Sequence, residues 1–414
     1  MYRLRLIVAL LVALAGPLGA QGSAAEISRY IDGVFATGAA AGISVAVVHG
    51  DSILLVRALG VADEATGRPV TPATRFLTAS TTKAFTALTA LILAERGGVD
   101  LDATLDELLP GSELDAKLSP QGITLRDLLA MRHGIGQDGP VVVRTAFTGE
   151  FDTPTLLRLL RHHPPSGAGR AFEYGNLGYN IAGLILERAT GRRWQDLTAR
   201  HVFQPLRMRE TTSRISSVQG QLAMPHAFEG GGVRRVPLYK SDRTMHAAGG
   251  HVTTARDLAR FVIAQLNGGA VRGGRVSGSA VLAMQRRETE QDREFAFVHR
   301  NGWGLGLDIA DYRGDTLYQR NGSFTGYYSH MSFMPSRRIG IVVLANGGLG
   351  GGGAAAETIA QGIYDLAIGT DSAKLAGLVA GLGTRVAGAS TSATTITPPV
   401  PGPFSRYTGT YADS

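Results

Sequence analysis

Apolar, β-branched runs stand near both ends of this chain, and helical periods fill most of the text between them. From Gly42, "GISVAVVHGDSILLVRALGVAD" is two such runs split by Gly50-Asp51, a hairpin signal. Strand patterns return only late, in "WGLGLDI", "TLYQRNGS", "GYYSHMSFMP" and "RIGIVVLANGG". Between them lie "TLRDLLAMRHGI", "TPTLLRLLRHH", "YNIAGLILERATG" and "TARDLARFVIAQLNGG", each with a helical apolar period. The economical arrangement is an α/β fold of the α+β kind. One antiparallel sheet is assembled from both ends and flanked by the helices "AEISRYIDGVFATGAA" and "AAAETIAQGIYDLAIG", with an all-helical region inserted over about residues 100–293.

Composition narrows the possibilities. The 414 residues suffice for one large or two ordinary domains, and 44% apolar with 18% charged residues reads as globular. The net charge of +7 is spread as single arginines with no basic run, so nucleic acid is not an expected partner. Cysteine is absent, which excludes disulfides, thiolate metal sites and a Cys nucleophile. "MYRLRLIVALLVALAGPLGAQGSAAE" has Arg3 and Arg5, an apolar stretch from Leu6 to Ala15 and then small residues. This is a secretory signal pattern over residues 1–20, with cleavage after Ala20 or Ala25, a secreted or periplasmic product and no membrane span once the signal is removed. An uncleaved anchor is the alternative. After Asp371 the text reads as a linker, Ser/Thr/Pro-rich in "STSATTITPPVPGPF", and a short tail over residues 371–414.

Chemistry is suggested first by Ser80-Thr81-Thr82-Lys83. Positions i and i+3 share a helix face, so Lys83 can reach Ser80 Oγ, and Ala79-Ser80 falls where unpaired N–H groups and the positive dipole end favour an oxyanion. A chain this long holds roughly one or two S-x-x-K matches by accident, so the motif alone is weak. A second fact strengthens it. Lysine occurs only at Lys83, Lys117, Lys240 and Lys374, and every other basic side chain is arginine. A lysine one turn from a serine suggests a need for an amine that can lose its proton, which an arginine cannot do. No G-x-S-x-G or H-E-x-x-H occurs, His162-His163 reads as a polar loop pair, and "GGLGGGG" lacks the spacing of a phosphate-binding loop.

Two further motifs follow in order: Tyr174-Gly175-Asn176 leading into a helix, and Arg320-Asn321-Gly322-Ser323 ending a strand signal. The ordered trio S-x-x-K, Y-x-N and basic-x-Gly resembles the serine β-lactamase and penicillin-binding-protein family. The likeness is greatest to its class C β-lactamase-related hydrolases, which include D-aminopeptidases, D,D-carboxypeptidases and esterases. The likeness runs from about residue 25 to 370, with "ITLRDLLAMRHGI", "AAGGHVTTARDLARF" and "GIVVLANGG" resembling family segments. The resemblance implies a β-lactamase/transpeptidase-like fold and a catalytic set of Ser80 as nucleophile, Lys83 as base and Tyr174 as proton relay. Asn176, Arg320, Gly322 and Ser323 would bind substrate, with the backbone N–H groups of Ser80 and Ser323 as oxyanion hole.

Two positions depart from the family. Arg320 stands where Lys or His is usual; its fork suits a substrate carboxylate, but it cannot exchange a proton, which puts β-lactam turnover in doubt. Gly175 stands where Ser is frequent. The expectation is an exported serine hydrolase working through an acyl-enzyme on a small-molecule or peptide substrate, without metal or cofactor. The substrate is an ester, a β-lactam or a D-amino-acid peptide. A non-hydrolytic penicillin- or peptidoglycan-binding sensor is the alternative, and the sequence leaves the oligomeric state open.

Overall fold

The early apolar runs become β1 (Gly42–His49) and β2 (Ser52–Asp63), turning at Gly50, whose φ of +62° a glycine adopts without strain. The computed structural model describes residues 23–119, 122–137, 151–218, 220–229, 232–238, 240–244 and 246–391. The signal segment 1–20 and the tail beyond residue 391 lie outside the described residues. With β3 (Arg68–Pro69), the hairpin forms one side of a nine-stranded sheet. The late strands complete it: β4 (Thr289–Phe295), β5 (Val298–Trp303), β6 (Asp308–Tyr312), β7 (Asp315–Phe324), β8 (Tyr327–Met334) and β9 (Ile339–Ala345). The order is β4-β5-β6-β7-β8-β9-β1-β2-β3, and every pairing is antiparallel. β1 sits between β9 and β2, with Ile43 opposite Ala345 and His49 opposite Ile339, so the sheet joins the two ends of the chain as expected.

The long helices are α1 (Ala24–Phe35), α2 (Thr82–Glu95), α3 (Leu177–Thr190), α4 (Ala255–Leu266), α5 (Ala354–Ala367) and α6 (Ser372–Thr391). Both faces of the central strands are covered, and this explains their unbroken apolar text. Ala46, Val48, Val342 and Leu344 enter one core with Phe85 of α2, Ile185 of α3 and Phe261 of α4. Ile43, Val45, Ile341 and Val343 enter the other with Ile31 of α1, Ile359 of α5 and Leu382 of α6.

Three details differ from expectation. The residues from Ser372 to Thr391, read as linker, form α6, because Leu375, Leu378, Val379, Leu382 and Val386 recur at helical spacing and pack on the second core. The strand β4 begins inside the span read as helical; it lies at the sheet edge and its text is polar, so no alternating apolar pattern announces it. The inserted region also holds short strands: Val252–Thr253, which pairs with Phe76–Leu77 from the stretch before α2, and a hairpin of His226–Glu229 with Gly232–Arg235. Among the described residues no helix is long and apolar enough to cross a membrane.

Candidate active site

Ser80 lies in a 3-10 turn, Ala79–Thr81, that runs directly into α2. Ala79, just before it, is held at φ +45°, a left-handed conformation that a residue with a Cβ keeps only when its surroundings enforce it. The surroundings here are the sheet: Ser329 Oγ of β8 donates to Thr78 O at 2.7 Å and lies 2.8 Å from Thr81 Oγ1. On the other side, Thr78 N donates to His251 O. The helix α2 itself is buried from Thr82 to Leu93 and runs through the core rather than over it. A lysine on its first turn is therefore held inside the protein, out of direct contact with bulk solvent.

That lysine is Lys83, fully buried. Its Nζ donates to Asn176 Oδ1 at 2.7 Å, Ser80 Oγ at 3.0 Å and Ala248 O at 3.1 Å. All three acceptors are neutral, and the Ala248 turn is held by Asn180 Oδ1, which accepts from Ala248 N at 3.1 Å. Burial lowers the ammonium to a pKa of about 8; Tyr174 opposes the shift and the Arg320 charge adds to it. The amine thus reaches neutrality in the range where a general base for Ser80 is needed.

Tyr174 and Asn176 arrive on the segment that opens α3. Asn176 precedes its first residue and accepts Asn180 N on its carbonyl, leaving the side-chain oxygen for Lys83. Lys83 Nζ lies 5.1 Å from the Tyr174 ring centroid, and the Arg320 guanidinium 4.9 Å from it. Burial pushes the phenol up, but Arg320, Lys83 and hydrogen bonding to Ser80 and Lys83 outweigh it and bring the pKa down to about 8. Gly175 between them has a local cause. A Cβ there would stand 2.0 Å from Gln137 Oε1 and 2.6 Å from Gln137 Cγ. Gln137 fills that space and accepts from Leu177 N at 3.3 Å, while its Nε2 donates to Ile135 O at 3.0 Å.

β7 delivers the third motif. A Cβ on Gly322 would stand 2.0 Å from Thr78 O and 2.8 Å from Ser80 N, so only a glycine lets this strand run against the backbone of the serine turn. Ser323, the next residue, is exposed. Arg320 is placed otherwise than expected. Its fork, read as facing a substrate carboxylate, is 5% exposed, and its Nη1 donates to the buried Asp308 at 2.9 Å. Its Nε donates to Asn321 O, and its guanidinium lies 5.2 Å from the Trp303 ring. Asp308 also accepts from Gln291 Nε2 at 3.0 Å and stands 3.7 Å from Arg300 Nη2. Ser80, Lys83, Tyr174, Asn176, Arg320 and Gly322 are therefore brought together from three separate stretches of chain.

Sequence reading missed Asp308, Trp303, Gln137 and the Ala248 carbonyl. Asp308 lies in "WGLGLDI", where its alternation with apolar neighbours marks a strand but not a partner. Gln137 follows "AMRHGI" with nothing local to set it apart.

The Beta-lactamase family matches residues 27–364 of the chain. Penicillin-binding protein 4 of Amycolatopsis lactamdurans is 29% identical over 306 residues, covering 70% of this chain and 77% of that protein. Protein flp of Staphylococcus aureus strain MW2 is 26% identical over 328 residues, covering 78% of this chain, which spans 62% of that protein's length. Among solved structures, the octameric penicillin-binding protein homologue from Pyrococcus abyssi aligns with a TM-score of 0.68 at 23% identity, over 84% of this chain and 78% of that one. The D-amino acid amidase from Ochrobactrum anthropi SV3 aligns with a TM-score of 0.67 at 22% identity, over 82% of this chain and 99% of that one. With a match this long, and with a sheet built from both ends around a buried S-x-x-K helix, the chain belongs to the beta-lactamase family of serine hydrolases.

Proposed function

We propose that the chain is an exported hydrolase that forms an acyl-enzyme on Ser80, with a neutral ester or a D-amino-acid amide or peptide as substrate. The observation that carries this reading is Lys83 Nζ at 3.0 Å from Ser80 Oγ, buried and, among the described residues, with no carboxylate as hydrogen-bond acceptor. An amine so placed accepts the Ser80 proton as Oγ attacks the carbonyl. Tyr174 then passes a proton to the leaving group and, in the second half, draws one from the deacylating water. The N–H groups of Ser80 and Ser323 receive the oxyanion, and Asn176 holds Lys83 in line. Export rests on the signal pattern before Ser23. Cleavage after Ala20 leaves intact the capping box in which Ser23 and Glu26 close the first turn of α1, whereas cleavage after Ala25 removes Ser23.

The pairing of Arg320 with Asp308 supports a neutral acyl group over a carboxylate-bearing β-lactam. The test has two parts. A fluorophosphonate should label the protein, and Ser80→Ala should abolish the label; a label that survives removes Ser80 from the nucleophile role. A chromogenic ester should then turn over many times per enzyme, where a single stoichiometric burst would point to the sensor instead.

A further inference from the structure

The net charge of +7 is not gathered into any basic run of the sequence, yet the fold collects arginines in one place. Arg207 and Arg209, Arg256 and Arg260 of α4, and Arg272 come from three stretches of chain and line one surface concavity of about 630 Å³. The two acidic residues of the same hollow, Glu210 and Asp257, are engaged internally. Asp257 Oδ2 accepts from Glu210 N at 2.7 Å and Thr211 Oγ1 at 2.9 Å, and Glu210 Oε2 accepts from Thr254 Oγ1 at 3.1 Å. Among the described residues no salt bridge joins any of the five arginines to a carboxylate.

The cluster is held in shape. Arg260 Nε donates to Leu206 O at 2.6 Å and its Nη2 to Arg272 O at 3.0 Å, tying the three stretches together. Gly273 lies directly under the Arg207 side chain: a Cβ there would meet its Cζ at 2.9 Å. Burial pushes the Arg260 guanidinium below its ordinary value, and although Asp257 opposes this, Arg207 and Arg209 are close enough to add to it. Arg256 occupies the first turn of α4, the positive end of a 12-residue helix, where a cation is on the wrong side of the dipole. Like charges gathered in this way favour an incoming anion.

We infer that this hollow binds a compact, multiply charged phosphate ligand such as a pyrophosphate or polyphosphate ester, at a site separate from Ser80. A concavity of single-ligand size, rather than a broad basic face, favours a soluble ligand over a membrane surface. Calorimetric titration of the full chain with tripolyphosphate tests it. The parent should bind in a 1:1 ratio, with affinity falling as salt rises, and tripolyphosphate should raise its melting temperature. Arg209→Gln/Arg256→Gln should lose at least about tenfold in affinity, because charge-assisted contacts to phosphate are lost. Arg158→Gln/Arg192→Gln, altering exposed arginines elsewhere, should bind as the parent does. Arg256→Gln alone, on an exposed helix position, gives a smaller loss and serves if the double variant folds poorly.

Equal binding by the parent and the Arg209/Arg256 variants, an equal loss in the control, or no binding by the parent would each overturn the inference. So would co-sedimentation with phosphatidylglycerol vesicles in the absence of tripolyphosphate binding, since that would assign the hollow to a membrane surface.

Discussion

Arg320 Nη1 stands 2.9 Å from Asp308 Oδ2 inside the sheet, and the same guanidinium lies 4.9 Å from the Tyr174 ring. The residue that departs from the family therefore acts as a fixed positive charge behind the phenol, balanced by a buried carboxylate. Arg320→Gln should lower kcat/KM for neutral and anionic esters by the same factor, because the charge acts on Tyr174 and not on the substrate. It should also raise the Tyr174 pKa above about 8, since a cation that favours the phenolate is gone. Parallel pH–rate profiles on a neutral and an anionic ester read both effects; a loss confined to the anionic ester would return Arg320 to the substrate.

Removing the other partner should be costlier to the fold. Asp308→Asn leaves Arg320 and Arg300 without their buried counter-charge, and breaking such a pair costs about 3–5 kcal/mol. Urea or thermal unfolding measures this directly, and the variant should unfold well before the parent.

The basic limb of catalysis should belong to Lys83 and Tyr174 together, since both pKa values lie at about 8 and the groups interact. The active form of the pair has lost one proton and kept the other, so acylation should rise with pH towards about 8 and fall above it, as Tyr174 loses the proton it passes to the leaving group. Lys83→Arg should be nearly as damaging as Lys83→Ala, each costing about 10²–10⁴-fold in acylation rate, because neither supplies an amine that can be neutral. Single-turnover acylation of the two variants across pH 6–10 (roughly two units on either side of the midpoint) checks the limb and the ranking.

Gly175 and Gln137 should behave as one unit. Gly175→Ser drives a Cβ into the distal half of Gln137, and overpacking of this kind costs about 1–3 kcal/mol. Gln137→Ala in the same chain should recover most of the lost melting temperature. A double-mutant cycle that comes out additive would mean the two side chains do not compete for that space.

Gly322→Ala has no such remedy. Its Cβ would strike Ser329 Oγ and the backbone atoms Thr78 O and Ser80 N, and because two of the three are backbone β7 must move away from the serine turn. Fluorophosphonate labelling should fall by about two orders of magnitude, the size expected when one oxyanion donor is displaced, even where circular dichroism shows a folded chain.

By itself the sequence determined the features that depend on local spacing. Ser80 and Lys83 are one helical turn apart whatever surrounds them, the apolar runs of β1 and β9 require cover on both faces, and Asn176 stands where a helix begins. Only the tertiary structure decided what each charged group meets. Nothing near Arg320 in the sequence names Asp308, nothing near Gly175 names Gln137, and the five arginines of the anion hollow are single residues scattered over three stretches. The composition of the tail makes the stretch from Ser372 resemble a linker, and the apolar face of α6 acquires meaning only against the core that covers it. The reason is physical. Helix and strand periods are set by bonds a few residues long, whereas the energy of a buried charge or a filled space depends on whichever atoms the fold brings alongside, and these come from anywhere in the chain.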